Sequence, residues 1–371
     1  MTRPSPPLFD LAAGRSIDDR ASGLVPSAIE HRLGGQLLQL VEAGRIELTP
    51  DEQRTLIAAD LATGAHHRAL WQGLVSAIDA LAEIGIDAFA LKGVAEEARW
   101  YGRVGLRPCS DVDLLIAPNA VDRIDDVLER LWPEHPSVGE VTELVRRRQL
   151  QHVHGTWQGV TVDVHLDPLK LGLWIQQTDL VVETARRING PDGSSVAVLA
   201  PEMALVSFLT HLNKDRFAYL GAYGDVARIA TDPGIDWDFV RRFVEREGLA
   251  APVWKSLAVV VEALDLPVEV PRVDGWRGRL WDRLWPPSSR LGGHEGRAGR
   301  RHRQAWIPAL TTDRWPDVIR TTRRELLPPR SLLDLHRSGF EDHGRLRRLT
   351  IDRLGWAQSG TSNEISSANT S

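Results

Sequence analysis

Asp111 and Asp113 flank a single residue, Val112, and the run continues through Leu114, Leu115 and Ile116. Residues two apart on a strand project to one face. A strand opening at Asp111 therefore sets two carboxylates side by side and turns Val112, Leu114 and Ile116 to a core. Neighbouring carboxylates repel and resist burial unless a cation lies between them, and an all-oxygen donor set favours Mg²⁺. A third carboxylate comes from residues 159–166, where Val160, Val162 and Val164 alternate with Thr161, Asp163 and His165. Three carboxylates on neighbouring strands are able to hold two divalent cations about 4 Å apart, an arrangement that clamps the attacking and leaving oxygens of a phosphoryl displacement.

The elements that must position these groups follow from periodicity. Ile86, Ala88, Phe89, Ala90 and Leu91 form a short apolar run, read as a strand, and Lys92-Gly93 turns into a helix over 94–101. Residues 151–156 and 159–166 read as a hairpin turning at Gln158-Gly159. Residues 119–132 have helical spacing, and 144–150 a basic helix end. Upstream, Leu33, Leu37, Leu40 and Val41, and then Leu70, Leu74, Ala77, Ile78 and Leu81, recur at helical steps. Thr49-Pro50-Asp51-Glu52 is a helix start and Gly85 a stop. Downstream, helices are expected over 201–213, 219–230, 237–247 and 251–264, a loop over 286–304, and helical spacing again over 323–355. The divisions expected are a disordered stretch 1–25, a helical segment 26–84, a core 85–198, a helical Arg-rich part 199–355 and a disordered tail 356–371.

Several motifs form a set: Leu91-Lys92-Gly93, Tyr101, Arg107-Pro108, Ser110-Asp111-Val112-Asp113-Leu114-Leu115 and Val162-Asp163-Val164-His165. Pro201-Glu202, His211 with Lys214, and Asp225 follow them. In this set the chain resembles the polymerase-β-type nucleotidyltransferase superfamily, and in particular its bacterial branch of uncharacterised nucleotidyltransferases, over about residues 30–350. The resemblance implies an α+β fold: a small mixed sheet with flanking helices, followed by a mainly helical C-terminal region. It implies that Asp111 and Asp113 bind both of two Mg²⁺ ions, with Mn²⁺ as a possible substitute, and that Asp163 completes the site on the acceptor side. It also implies attack on the α-phosphate of an NTP, ATP by default, with release of pyrophosphate. Gly93 would let the backbone approach the triphosphate. The wider superfamily has Gly-Ser at this turn; here Lys92-Gly93-Val94 leaves phosphate binding to backbone amides and Lys92, with Arg107 and Ser110 alongside.

Each of these residues also has a plainer reading. Lys92 neutralises carboxylates or binds phosphate. Arg107 contacts phosphate or pairs with a site carboxylate. His165 is a hydrogen-bonding residue beside the site or a substrate contact. His211, Lys214 and Asp225 line the cleft or serve packing and salt bridges. His152 and His154 lack a third clear ligand for zinc. The acceptor expected is a small molecule or a peptide. Toxin-type modification of a protein or RNA, and an inactive nucleotide- or partner-binding module, are the alternatives; the three intact carboxylates argue against the last.

Composition narrows the classes further. The chain has 371 residues, 42% hydrophobic and 26% charged, as in a globular protein of two or three domains. No apolar run approaches the roughly 20 residues of a membrane span, so no membrane partner is expected. The first residues lack an apolar signal core, so a cytoplasmic location is expected. The single cysteine, Cys109, rules out an internal disulfide and a cysteine-rich zinc site. The formal charge of −5 hides an asymmetry: residues 271–353 hold 19 Arg against 10 Asp and Glu, a basic surface suited to solvent or to an anionic partner.

Overall fold

The structure is a computed structural model that describes residues 5–17, 23–133, 138–146, 150, 152–169, 178–214, 217–284 and 312–319. Its centre is one mixed sheet of six strands in the order β3-β4-β2-β1-β6-β5. The strands are β1 (Ala88–Ala90), β2 (Val112–Ile116), β3 (His152–Trp157), β4 (Val160–His165), β5 (Arg186–Asn189) and β6 (Ser195–Val198). β2 lies parallel to β4 and antiparallel to β1, and β1 pairs parallel with β6. The hairpins β3–β4 and β5–β6 close the two edges. Gln158 and Gly159 take φ of 48° and 83° between β3 and β4, the double positive-φ turn that matches the strand twist.

Thirteen helices among the described residues surround the sheet. Ahead of it come α1 (Pro6–Ala12), α2 (Leu24–Glu30), α3 (Gly34–Glu42) and α4 (Pro50–Glu83). Within its connections lie α5 (Val94–Trp100), α6 (Ile124–Leu131), α7 (Val138–Arg146) and α8 (Thr178–Glu183). After it follow α9 (Pro201–Lys214), α10 (Leu220–Ala230), α11 (Trp237–Glu247), α12 (Ala250–Leu264) and α13 (Gly275–Leu284). The α+β class expected from the sequence is the one observed.

The alternation of strand residues assigns the two faces of the sheet. Val112, Leu114 and Ile116 of β2, with Val160, Val162 and Val164 of β4, pack into one core with Leu70, Leu74, Ala77 and Leu81 of α4 and Val127, Leu128 and Leu131 of α6. On the opposite face Phe89, Leu91 and Leu115 join a second core with α9, α10 and α12. Residues 26–84 are shared between the cores: α2 and α3 belong to the second, while most of buried α4 belongs to the first. α4 begins where expected, with Thr49 and Glu52 exchanging side-chain-to-backbone hydrogen bonds. Its Gly73 lies so close to β4 that a Cβ there would stand 2.4 Å from Val160 Cγ2.

Three local departures have physical causes. The N-terminal stretch expected to be disordered folds in part, because Leu8, Leu11 and Ala12 of α1 give it an apolar stripe buried in the second core. The helix expected over 119–132 opens as a 3₁₀ turn, Pro118–Arg123, with Ala120 N–H donating to Ala117 O before α6 begins. β5 and β6 add an edge hairpin that the sequence pattern does not mark; each has four residues, and β5 carries Arg186 and Arg187 on an exposed edge. The expected loop 286–304, the helical spacing over 323–355 and the tail 356–371 lie outside the described residues.

Val160 is β-branched and has little room to move away from α4. Gly73→Ala is therefore expected to destabilise the fold by roughly 1–3 kcal/mol, read as a lower midpoint in chemical denaturation.

Candidate active site

β2 and β4 pair in register with Asp113 opposite Asp163. Both carboxylates are buried on the sheet face that looks toward α9 and α10. Two strand positions further along β4 is His165, fully buried, with Nε2 2.8 Å from Asp113 Oδ1. Lys92 leaves the end of β1 and brings Nζ to 3.2 Å from the same oxygen. Asp113, Asp163 and His165 each place a ligand atom within 4.8 Å of the others', a donor set able to take a cation. Asp111 stands just ahead of β2, outside this tight group, where it lines an adjoining cavity and accepts a hydrogen bond from Ser110 Oγ at 3.2 Å. The strand expected to open at Asp111 thus opens one residue later.

Burial first, and then the Asp113 charge, push the Asp111 carboxyl above its usual range, with Lys92 only partly offsetting them. Burial alone would lower the Lys92 ammonium; the Asp113 and Asp111 carboxylates outweigh it and the net shift is upward. Lys92 is held charged by the carboxylates it neutralises.

The cavity has a volume of about 270 Å³. Lys92, Gly93, Arg107, Ser110, Asp111 and Asp113 line it from the sheet side, and Phe208 and His211 of α9, Asp225 of α10 and Tyr219, which caps α10, from the helical side. Gly93 takes φ 72°, ψ −134°, a backbone region open essentially to glycine alone. Arg107 does not pair with the strand carboxylates: its Nε donates to Asp225 Oδ2 at 2.8 Å and its guanidinium lies over the Phe208 ring. Tyr101 donates to the other oxygen of Asp225 at 2.5 Å. Asp225 therefore ties α10 to the segment that leads into β2. The side chain of Lys214 lies outside the described residues.

A buried group that the sequence reading missed holds that segment in place. Glu97 of α5 accepts the backbone N–H groups of Gly105 and Arg107 on Oε1, both at 2.8 Å, and faces His67 Nδ1 at 2.5 Å with Oε2. His67 Nε2 accepts the Cys109 N–H at 3.2 Å, which makes Nδ1 the protonated nitrogen that donates to Glu97. One carboxylate and one imidazole thus anchor residues 105–109. In the sequence Glu96-Glu97 reads only as acidic residues in a helix's first turn, and His67 only as one residue of a long helix. The neighbouring Glu96 is also buried; its Oε2 accepts from Trp100 Nε1 at 2.6 Å and its Oε1 has no hydrogen-bond partner among the described residues.

Residues 19–265 match the family model described as uncharacterised nucleotidyltransferase. A crystal structure of an antigenic nucleotidyltransferase-like protein from Paracoccidioides brasiliensis aligns with 56% of this chain and 95% of its own, at 16% identity and a TM-score of 0.32. No curated protein matches the chain significantly.

Burial pushes the Glu96 carboxyl up to about 7, with Arg99 and the Trp100 hydrogen bond opposing it; the ordinary value is 4.5. Between those two values the folded chain binds the proton that the unfolded chain has released, so stability falls as pH rises through that window. Glu96→Gln is expected to flatten this fall, raising the melting temperature at pH 8 relative to wild type and changing it little at pH 4.5. Calorimetry across that pH range checks it.

Proposed function

The chain belongs to the uncharacterised nucleotidyltransferase family, and from that premise we propose that it transfers a nucleoside monophosphate group from an NTP to a small-molecule or peptide acceptor, releasing pyrophosphate. ATP is the default nucleotide. The observation that supports this reading best is the in-register pair of buried carboxylates, Asp113 and Asp163, beside a cavity that also presents Lys92, Arg107 and Gly93.

The donor chemistry fits divalent cations: Asp113 and Asp163, with His165 in reach, offer ligand atoms within 4.8 Å of one another, and Asp111, which lines the adjoining cavity, would share two such ions with them. When bound, Mg²⁺ or Mn²⁺ supplies positive charge against the triphosphate and the leaving pyrophosphate. The chain's own residues do the rest. The backbone at Gly93 lets the phosphates approach closely. Arg107, oriented by Asp225, presents a fixed guanidinium to the same cavity. Lys92 offsets carboxylate charge and keeps Asp113 in position. His165 fixes the other side of the same carboxylate. The acceptor's hydroxyl, phosphate or amine oxygen or nitrogen attacks the α-phosphorus, the bond to the β-phosphate oxygen breaks, and pyrophosphate departs. For a hydroxyl or amine, Asp163 takes the proton that the acceptor loses.

Pyrophosphate release is measured with each of the four NTPs, Mg²⁺ or Mn²⁺, and cell extract as the acceptor pool. Release that needs the cation and falls by at least about 100-fold in Asp111→Asn/Asp113→Asn is the expected result. No release with any NTP, together with nucleotide binding that the double substitution leaves unchanged, would overturn the transferase reading.

A further inference from the structure

The cavity wall holds three cations in different electrostatic situations. Lys92 pairs with Asp113 and Arg107 with Asp225. The third, Arg32, has no carboxylate partner among the described residues; its guanidinium lies over the Tyr219 ring, 4.3 Å from the centroid. It comes from the far N-terminal end of the chain, at the turn that links α2 to α3.

The backbone there has an unusual occupant. Arg32 N–H donates to Ile29 O and Leu33 N–H to Ala28 O, the pair of bonds that closes a helix with a left-handed residue after its cap. Glycine is at ease at that step, and α1, α3, α4 and α11 use Gly14, Gly44, Gly85 and Gly248 near their ends in the same conformation. α2 instead places Arg32 there at φ 62°, a conformation costly for a branched-free but bulky side chain. The turn is also locked in place: Gly221 N–H donates to His31 O at 2.9 Å, and a Cβ at Gly221 would meet Arg32 O at 3.0 Å. Helix closure does not need the guanidinium. A strained, fixed backbone together with an aromatic plate beneath the side chain aims a positive charge at the cavity rim, and neighbouring Arg107 and Lys92 have their charge met by carboxylates.

We propose that Arg32, oriented by Tyr219, grips the phosphate tail of the NTP in this cavity. This rests on the nucleotidyltransferase reading of the same site. A planar guanidinium offers paired N–H donors to phosphate oxygens, and the left-handed turn keeps those donors in place before the ligand arrives.

The test is calorimetric titration of the full chain with ATP or the NTP it prefers, with the matching nucleoside, and with inorganic tripolyphosphate, each with Mg²⁺. Three proteins are compared: wild type, Arg32→Gly and Arg32→Lys. Arg32→Gly removes the guanidinium and relieves the backbone, so the fold is kept, as the melting temperature verifies. The expected result is an NTP and tripolyphosphate affinity weakened at least about tenfold in Arg32→Gly, partly restored in Arg32→Lys, with nucleoside affinity unmoved. Unchanged NTP affinity in Arg32→Gly, or an equal loss for NTP and nucleoside, overturns the assignment of Arg32 and leaves the transferase reading standing. Failure of wild type to bind any NTP overturns both.

Discussion

The site depends on one constraint: β2 and β4 run parallel and in register, so Asp113 and Asp163 face each other across a single strand spacing. Two carboxylates at that separation, both removed from solvent, are unfavourable without compensating charge and hydrogen bonds. The surrounding residues answer that demand. His165, on the same face of β4, and Lys92, at the end of β1, converge on one oxygen of Asp113. β1 can deliver Lys92 there because it pairs antiparallel with β2 and ends beside Asp113, with Leu91 N–H donating to Asp113 O at 2.9 Å.

The same pairing explains why the helical half folds back over the sheet. The polar face of β2 and β4 cannot be left as an apolar core, yet Phe89, Leu91 and Leu115 beside it need one. α9, α10 and α12 bury those residues and leave a cleft where the carboxylates are. Asp225 of α10, held by Tyr101 and Arg107, joins the two halves across that cleft. Glu97 and His67 fix the segment 105–109 from behind. A single buried carboxylate satisfying two backbone N–H groups is a rigid support of the kind that sites with demanding geometry require.

The strand-borne chemistry was legible in the sequence because it obeys a period of two. Asp111-Val112-Asp113 and Thr161 to His165 could be assigned to faces by alternation alone, and Lys92-Gly93 stood where an apolar run ends. Helix boundaries set by caps, such as Thr49 with Glu52 and Trp237–Glu247, were legible too. What escaped reading depends on contacts between distant residues. Glu97 looks like any acid at a helix start, and only the fold shows it holding Gly105 and Arg107. Arg107 had two open roles, and its partner Asp225 lies more than a hundred residues away. β5 was hidden by its edge arginines, although Gly190-Pro191-Asp192-Gly193 marks the turn that follows it.

The proposed transfer breaks the bond between the α-phosphorus and the oxygen that bridges it to the β-phosphate. It is tested by incubating the chain and cell extract with an NTP labelled at either the α- or the γ-phosphate, then following where each label goes. The expected result is α-label attached to an acceptor while γ-label leaves as pyrophosphate. Transfer of γ-label to an acceptor, or retention of both labels on free NTP, would contradict it.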